Sequence, residues 1–203
     1  MAESPMQAII KRFMLSALVL YPVCVAVWYL FGQVQVDLAV LFSKYFLSII
    51  HPSAVFTADI QGTYVSFSII VEEKKFDTAT VGGGCYPLLK LSGIPLYAAF
   101  MLASPNIKQR VKLLPLGILG LVLFGFTGVV TEVSHHLFYG LSMLKRDGYN
   151  VPGIGPYTLM ISNCLMIISS VFSQLVLPLV VWLWQQRDGF VRELFSTPEV
   201  LPR

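Results

Sequence analysis

A cysteine directly after three glycines, a lysine set among apolar residues, and a glutamate followed by two histidines are the residues whose types and spacing could do chemistry. Cys85 closes the run Gly82-Gly83-Gly84. A thiol acts as a nucleophile only as the thiolate, which needs a helix N-terminus or a cation to lower its pKa and a base to take its proton. Pro87 suits the first turn of a helix beginning just after the cysteine, and His135 or His136 is the candidate base. The competing reading makes Cys85 a small interfacial residue with no reactivity. Lys90 follows from span length. A membrane helix starting only at Leu91 would run to Ala103, about 20 Å, too short to cross. Lys90 is therefore expected below the outer surface, snorkelling upward, pairing with Glu132, or facing a cavity or partner.

Glu132, His135 and His136 stand at i, i+3 and i+4, so a helix would put the glutamate and one or both histidines on one face. A carboxylate with a histidine at i+3 is a spacing used in metal sites, but such sites draw further ligands from other helices. Only His51, Asp37 and Asp59 are at hand for that. A structural pair, or an ion pair with Lys90, is the better reading, and neither a metal nor a cofactor is expected. Cys85, Lys90, Glu132, His135 and His136 together form an expected polar cluster at the outer membrane boundary. It is a docking or packing site, catalytic only if Cys85 works with His135 or His136.

The elements that position this cluster are membrane helices. Of 203 residues, 56% are hydrophobic and 12% charged, against about 25% charged in a soluble domain. The net charge of +3 is spread thinly, with no basic tract carrying interleaved aromatics, so nucleic acid is not an expected partner. Cys24, Cys85 and Cys164 show no CxxC spacing and no paired framework. Four spans are expected, at about 13–31, 86–104, 113–131 and 157–184, in one membrane domain covering 1–203. The first has Trp28 and Tyr29 at its end, where interfacial aromatics belong. The third carries glycines at 117, 120, 125 and 128 on one side, a seam for another helix. The last is long enough to need a tilt or a kink at Pro178, with Asn163 and Gln174 as interhelical hydrogen-bond donors.

Two longer loops, 32–85 and 132–156, lie between the spans. In the first, Val34, Leu38, Leu41, Phe42, Tyr45 and Ile49 recur at helical spacing, predicting an amphipathic helix along the membrane surface that His51-Pro52 ends. Val65, Phe67, Ile69 and Val71 then alternate with Tyr64, Ser66, Ser68 and Ile70 after a turn at Gln61-Gly62, predicting a β-hairpin that must lean on something larger. Glu72 to Asp77 reads as a solvated charge cluster. Eight lysines and arginines fall in the termini and the short middle loop, against five in the two longer loops. Both ends are therefore expected in the cytoplasm and the hairpin outside.

The opening RFMLSALVLYPVCVAVWYLFG, the amphipathic segment, the hairpin, and YPLLKLSGIPLYAAFMLASP with its basic loop resemble the small exosortase-associated membrane proteins, most nearly the exosortase H-associated type. The resemblance runs over about Phe13 to His136 and is most recognisable at Gly93-Ile94-Pro95-Leu96. It implies an accessory role in the bacterial inner membrane, beside an exosortase that processes proteins with C-terminal sorting signals. The exosortases themselves resemble one another in a cysteine at a helix start, a later arginine and a later histidine. Here Cys85 is followed by Tyr-Pro rather than Ser-Gly, and no Lys or Arg stands between Lys112 and Lys145. The resemblance thus favours a companion over an enzyme; the alternative is a cysteine-dependent membrane peptidase or transpeptidase.

Overall fold

The computed structural model describes residues 5–50, 54–72, 78–104, 111–148 and 155–187. His51, the charge cluster at 73–77, most of the basic loop and the last arginines lie outside them. Helix α1 (Pro5–Leu30) turns at Phe31 into α2 (Gly32–Ile50). Three strands follow, β1 (Ala54–Gln61), β2 (Tyr64–Glu72) and β3 (Thr78–Cys85). The chain then forms α3 (Pro87–Lys90), α4 (Gly93–Ala103) and α5 (Leu114–Arg146). A last stretch combines α6 (Pro156–Val171), a π-helical segment at Phe172–Val176, and α7 (Leu177–Gln186).

Among the described residues, three helices are long and apolar enough to cross a membrane: Gln7–Leu30, Val111–Arg146 and Pro156–Gln186. The fourth expected span, 86–104, is a shorter apolar stretch, Pro87–Ala103, broken after Lys90. At about 1.5 Å per residue it covers about 25 Å. The break is tight, bridged by bonds from Leu91 N to Leu88 O, Ser92 N to Leu89 O and Ile94 N to Leu91 O. It sits against a second irregularity. Pro178 offers no N–H to the helix ladder, the ladder widens to a π-turn just before it, and Gly93 packs on the Ser173 carbonyl there. The distortion expected at Pro178 thus falls one turn earlier.

Two further expectations are corrected. The hairpin gains a third strand, giving an antiparallel sheet in the order β1-β2-β3. Gln61 pairs with Tyr64 around Gly62. The glycine has φ 63°, which suits the tight turn. The central strand is β2, and its Val65, Phe67 and Ile69 are buried as the alternation requires. Secondly, α5 does not stop at the expected span end near residue 131. It continues for 33 residues in all, about 50 Å of helix. Glu132, His135 and His136 therefore stand on its second half instead of on a loop.

The glycine seam on α5 is used, and by the broken stretch. Gly117 faces the Tyr97 ring, Gly125 faces Leu91, and Gly128 lies 3.7 Å, measured from where a Cβ would stand, from the Lys90 stem; Gly120 faces open space. Tyr97, fully buried, donates to Gln185 Oε1 at 2.6 Å, and Trp182 Nε1 donates to Ser104 Oγ at 2.9 Å. These bonds tie α4 to α7 at the end of the bundle away from the sheet.

Candidate functional site

The cluster is assembled where β3, α3, α5 and α6 meet. β3 lies along the C-terminal half of α5 in matched register. On a helix, every fourth residue returns to one face after about 6 Å; on a strand, every second residue does so after about 6.6 Å. Val81, Gly83 and Cys85 therefore face Gly140, His136 and Glu132 in turn. A Cβ on Gly140 would strike Val81, and one on Gly83 would stand 3.0 Å from His136 Cγ and 2.7 Å from Phe67 Cζ. The Glu132 carboxylate acts on the Cys85 thiol. On the other side of β3, the Tyr64 ring fills the space of a Gly84 side chain. The glycine run is thus a packing surface set in a strand, not a hinge.

Cys85 is 2% exposed and belongs to the hydrophobic core. Burial pushes its pKa from 9.0 up to about 12, the Glu132 carboxylate adds to the rise, and Lys90 only partly offsets it. This is the opposite of the electropositive, accessible setting that a nucleophilic thiolate requires.

Lys90 ends α3 and is 7% exposed. Its Nζ lies 3.0 Å from Glu132 Oε2, off the hydrogen-bonding direction, so this contact is coulombic. The ammonium donates instead to Ser170 Oγ, whose own proton goes to the Met166 carbonyl at 2.7 Å. Of the alternatives for Lys90, pairing with Glu132 is the one realised. The lysine stem passes beside Gly128, where a Cβ would be in ordinary contact with both it and Ser169 Oγ, at 3.7 Å.

The two histidines diverge. His135 turns to α6, its Nδ1 3.0 Å from Ser162 Oγ. His136 turns to the sheet, edge-on to Phe67 with ring centroids 5.6 Å apart. Among the described residues no group of three or more His, Cys, Asp or Glu is placed to hold a metal ion. Asp37 and Asp59 are engaged elsewhere, by Gln33 at 3.0 Å and Gln61 at 2.9 Å. Asn163 is exposed rather than turned between helices.

Residue-by-residue reading missed the serines. Ser162, Ser169 and Ser173 are buried on one side of α6 and its π-segment, and Ser170 stands beside them. Ser162 meets His135, Ser169 lies 3.3 Å from Thr131 Oγ1, and Ser170 takes Lys90. The signal was present, since serines at i, i+7 and i+11 of an apolar helix share a face.

A search of curated proteins and a search of solved structures each give no match. The family model described as exosortase H-associated membrane protein matches residues 7–189, and with the broken Pro87–Ala103 stretch and the strand-backed cluster inside that range, the chain belongs to this family.

Proposed function

We propose that the chain is a non-catalytic accessory protein of an exosortase-type sorting system. In this reading it is held in the bacterial inner membrane with both termini cytoplasmic, and its sheet and α2 engage a membrane partner or that partner's substrate on the periplasmic side. The observation that carries the proposal is that Lys90, His135 and His136 are engaged within the chain and that Cys85 is buried. Lys90 is bound to Glu132 and Ser170, His135 to Ser162, His136 to Phe67 and Gly83, and Cys85 is sealed in the core.

Helix α2 supports a docking role because it is apolar on two opposite sides. Val36, Ala39, Ser43 and Leu47 are buried against the body of the protein, while Val34, Leu38, Leu41, Tyr45 and Ile49 form an exposed stripe half a turn away. A helix with both sides apolar has a second surface to bury.

The test is co-purification of the tagged full chain with the exosortase of the same membrane. Complex formation and processing of a sorting-signal protein should survive Cys85→Ala and be lost in Leu38→Lys/Leu41→Lys. Loss of processing in Cys85→Ala with the complex intact would establish the peptidase instead.

A further inference from the structure

β1 is an outer strand of the sheet, bonded to β2 on one side only. The two-residue turn at Gly62-Thr63 is closed by the pair Gln61 and Tyr64, and in such a hairpin the closing pair exchanges both of its backbone bonds. Counting back along the strand, Val55, Thr57 and Asp59 also bond to β2. The N–H and C=O groups of Phe56, Ala58 and Ile60 therefore point away from the sheet. Among the described residues none of these three finds a backbone partner outside the sheet.

Natural edge strands are blunted by lysine, proline, a bulge or a covering element. β1 has no lysine and no proline, and it keeps register with β2 over eight unbroken pairs. Val55, Thr57, Ala58 and Asp59 are exposed, so no neighbour seals it along its length. Ala58 stands in one cross-strand row with Phe67 and Gly83, on the side of the sheet that packs against His136 of α5. Phe67 is buried there and Ala58 is not. The core side of the sheet thus runs out past β2 with an uncovered place for an apolar side chain. The Gly62-Thr63 turn shares a small pocket with Tyr29, Leu30 and Gly32 at the end of α1, so the edge begins beside the bilayer.

We propose that the β1 edge takes up an extended segment of a partner protein as a fourth strand. This rests on the reading that the sheet docks a partner, and it names what that partner presents: free main-chain donors and acceptors, apolar side chains on the side of Ala58, and polar or basic ones beside Asp59. A second copy of this chain does not fit. β3 descends along the membrane-crossing α5, with Val81 at Gly140 and Gly83 at His136, so the strands run with that helix. Two copies in one bilayer are related by an axis along the same direction. Their β1 strands would then be parallel, with the row of Phe56 and Ala58 in one copy continuing into the row of Thr57 and Asp59 in the other.

The experiment uses the full chain in nanodiscs and a synthetic ten-residue peptide alternating valine with serine and lysine, with amide hydrogen exchange read residue by residue. In the chain alone, Phe56, Ala58 and Ile60 should exchange at least tenfold faster than Thr57 and Asp59. Saturating peptide should slow those three at least tenfold, and the same peptide with every backbone N–H methylated should not. Ala58→Pro removes an outward donor that the fold does not use, so it should keep the melting temperature and weaken the peptide at least tenfold. Slow exchange of the three amides in the chain alone, no slowing by the peptide, equal slowing by the methylated peptide, or undiminished binding to folded Ala58→Pro would each overturn the proposal. A complex with the exosortase that leaves exchange at Phe56, Ala58 and Ile60 unchanged would overturn the edge and keep the accessory role. Peptide binding at the edge with no such complex would overturn the accessory role and keep the edge.

Discussion

Lys90 and Glu132 form a largely buried ion pair, and removing one member leaves the other poorly solvated and uncompensated. Lys90→Met should lower unfolding stability in micelles by about 3 kcal/mol, whereas Lys90→Met/Glu132→Leu should recover most of that loss. Costs of Lys90→Met and Glu132→Leu that simply add in the double variant would show that the two charges are not coupled. Cys85 gives a second prediction with a definite sign. Its folded-state pKa of about 12 lies above the ordinary 9.0, so between these values an unfolded chain loses the proton and the folded chain keeps it. Stability should therefore fall as pH rises through that window, and the loss should be smaller in Cys85→Ala. In a variant keeping Cys85 alone, maleimide labelling of the folded protein at about pH 9, near the unfolded thiol's pKa, should stay far slower than that of the denatured protein. The depth of Lys90 was legible in the sequence, because the apolar run after it is too short to cross. Its second partner was not, since Ser170 lies 80 positions away and nothing local joins the two.

At the scale of elements, the seat of β3 on α5 depends on which glycine stands where. A Cβ at Gly83 would press on both Phe67 and His136, while one at Gly82 would have its nearest neighbour, the Phe67 carbonyl, 4.0 Å away. Gly83→Ala should cost about 2 kcal/mol by overpacking. Gly82→Ala should be neutral or slightly stabilising, because glycine is a poor strand residue. Similar losses at both positions, read by chemical denaturation, would mean that the run works through flexibility after all. The partner contact allows a sharper check. Gly140→Ala should be destabilising alone and partly rescued by Val81→Ala, which removes the two methyl groups it would strike but leaves the Val81 Cβ at 2.9 Å. Period-two alternation made β2 legible, and helical spacing made α2 legible. β3 was hidden because three glycines read as a loop by propensity, and the contact that makes them a strand lies on a helix far along the chain. The end of α5 was misplaced for a related reason. Glu132 and the histidines look like the edge of a span, yet β3 and α6 supply partners that let the helix continue.

At the scale of the whole molecule, the length of α5 relates the cluster to the bilayer. Hydrocarbon about 30 Å thick takes up about twenty residues of helix. A span starting at Leu114, the first residue of α5, therefore reaches the far boundary near Val133. In the proposed placement Glu132 and Lys90 lie at that boundary, and the stretch from His136 to Arg146, with the sheet packed on it, stands clear of the hydrocarbon. In the proposed orientation, which rests on the distribution of lysine and arginine, the sheet faces outside and Lys112 lies at the inner face. Single cysteines placed in an otherwise cysteine-free chain test the arrangement in intact cells. Thr57→Cys, exposed on β1, should react with a membrane-impermeant maleimide added outside, and Lys112→Cys should react only after permeabilisation. Leu119→Cys, at a position 54% exposed but early in the span, should resist labelling in both cases because lipid, not water, covers it. Labelling of Lys112→Cys in intact cells would invert the molecule, and ready labelling of Leu119→Cys would mean that this face of α5 meets water.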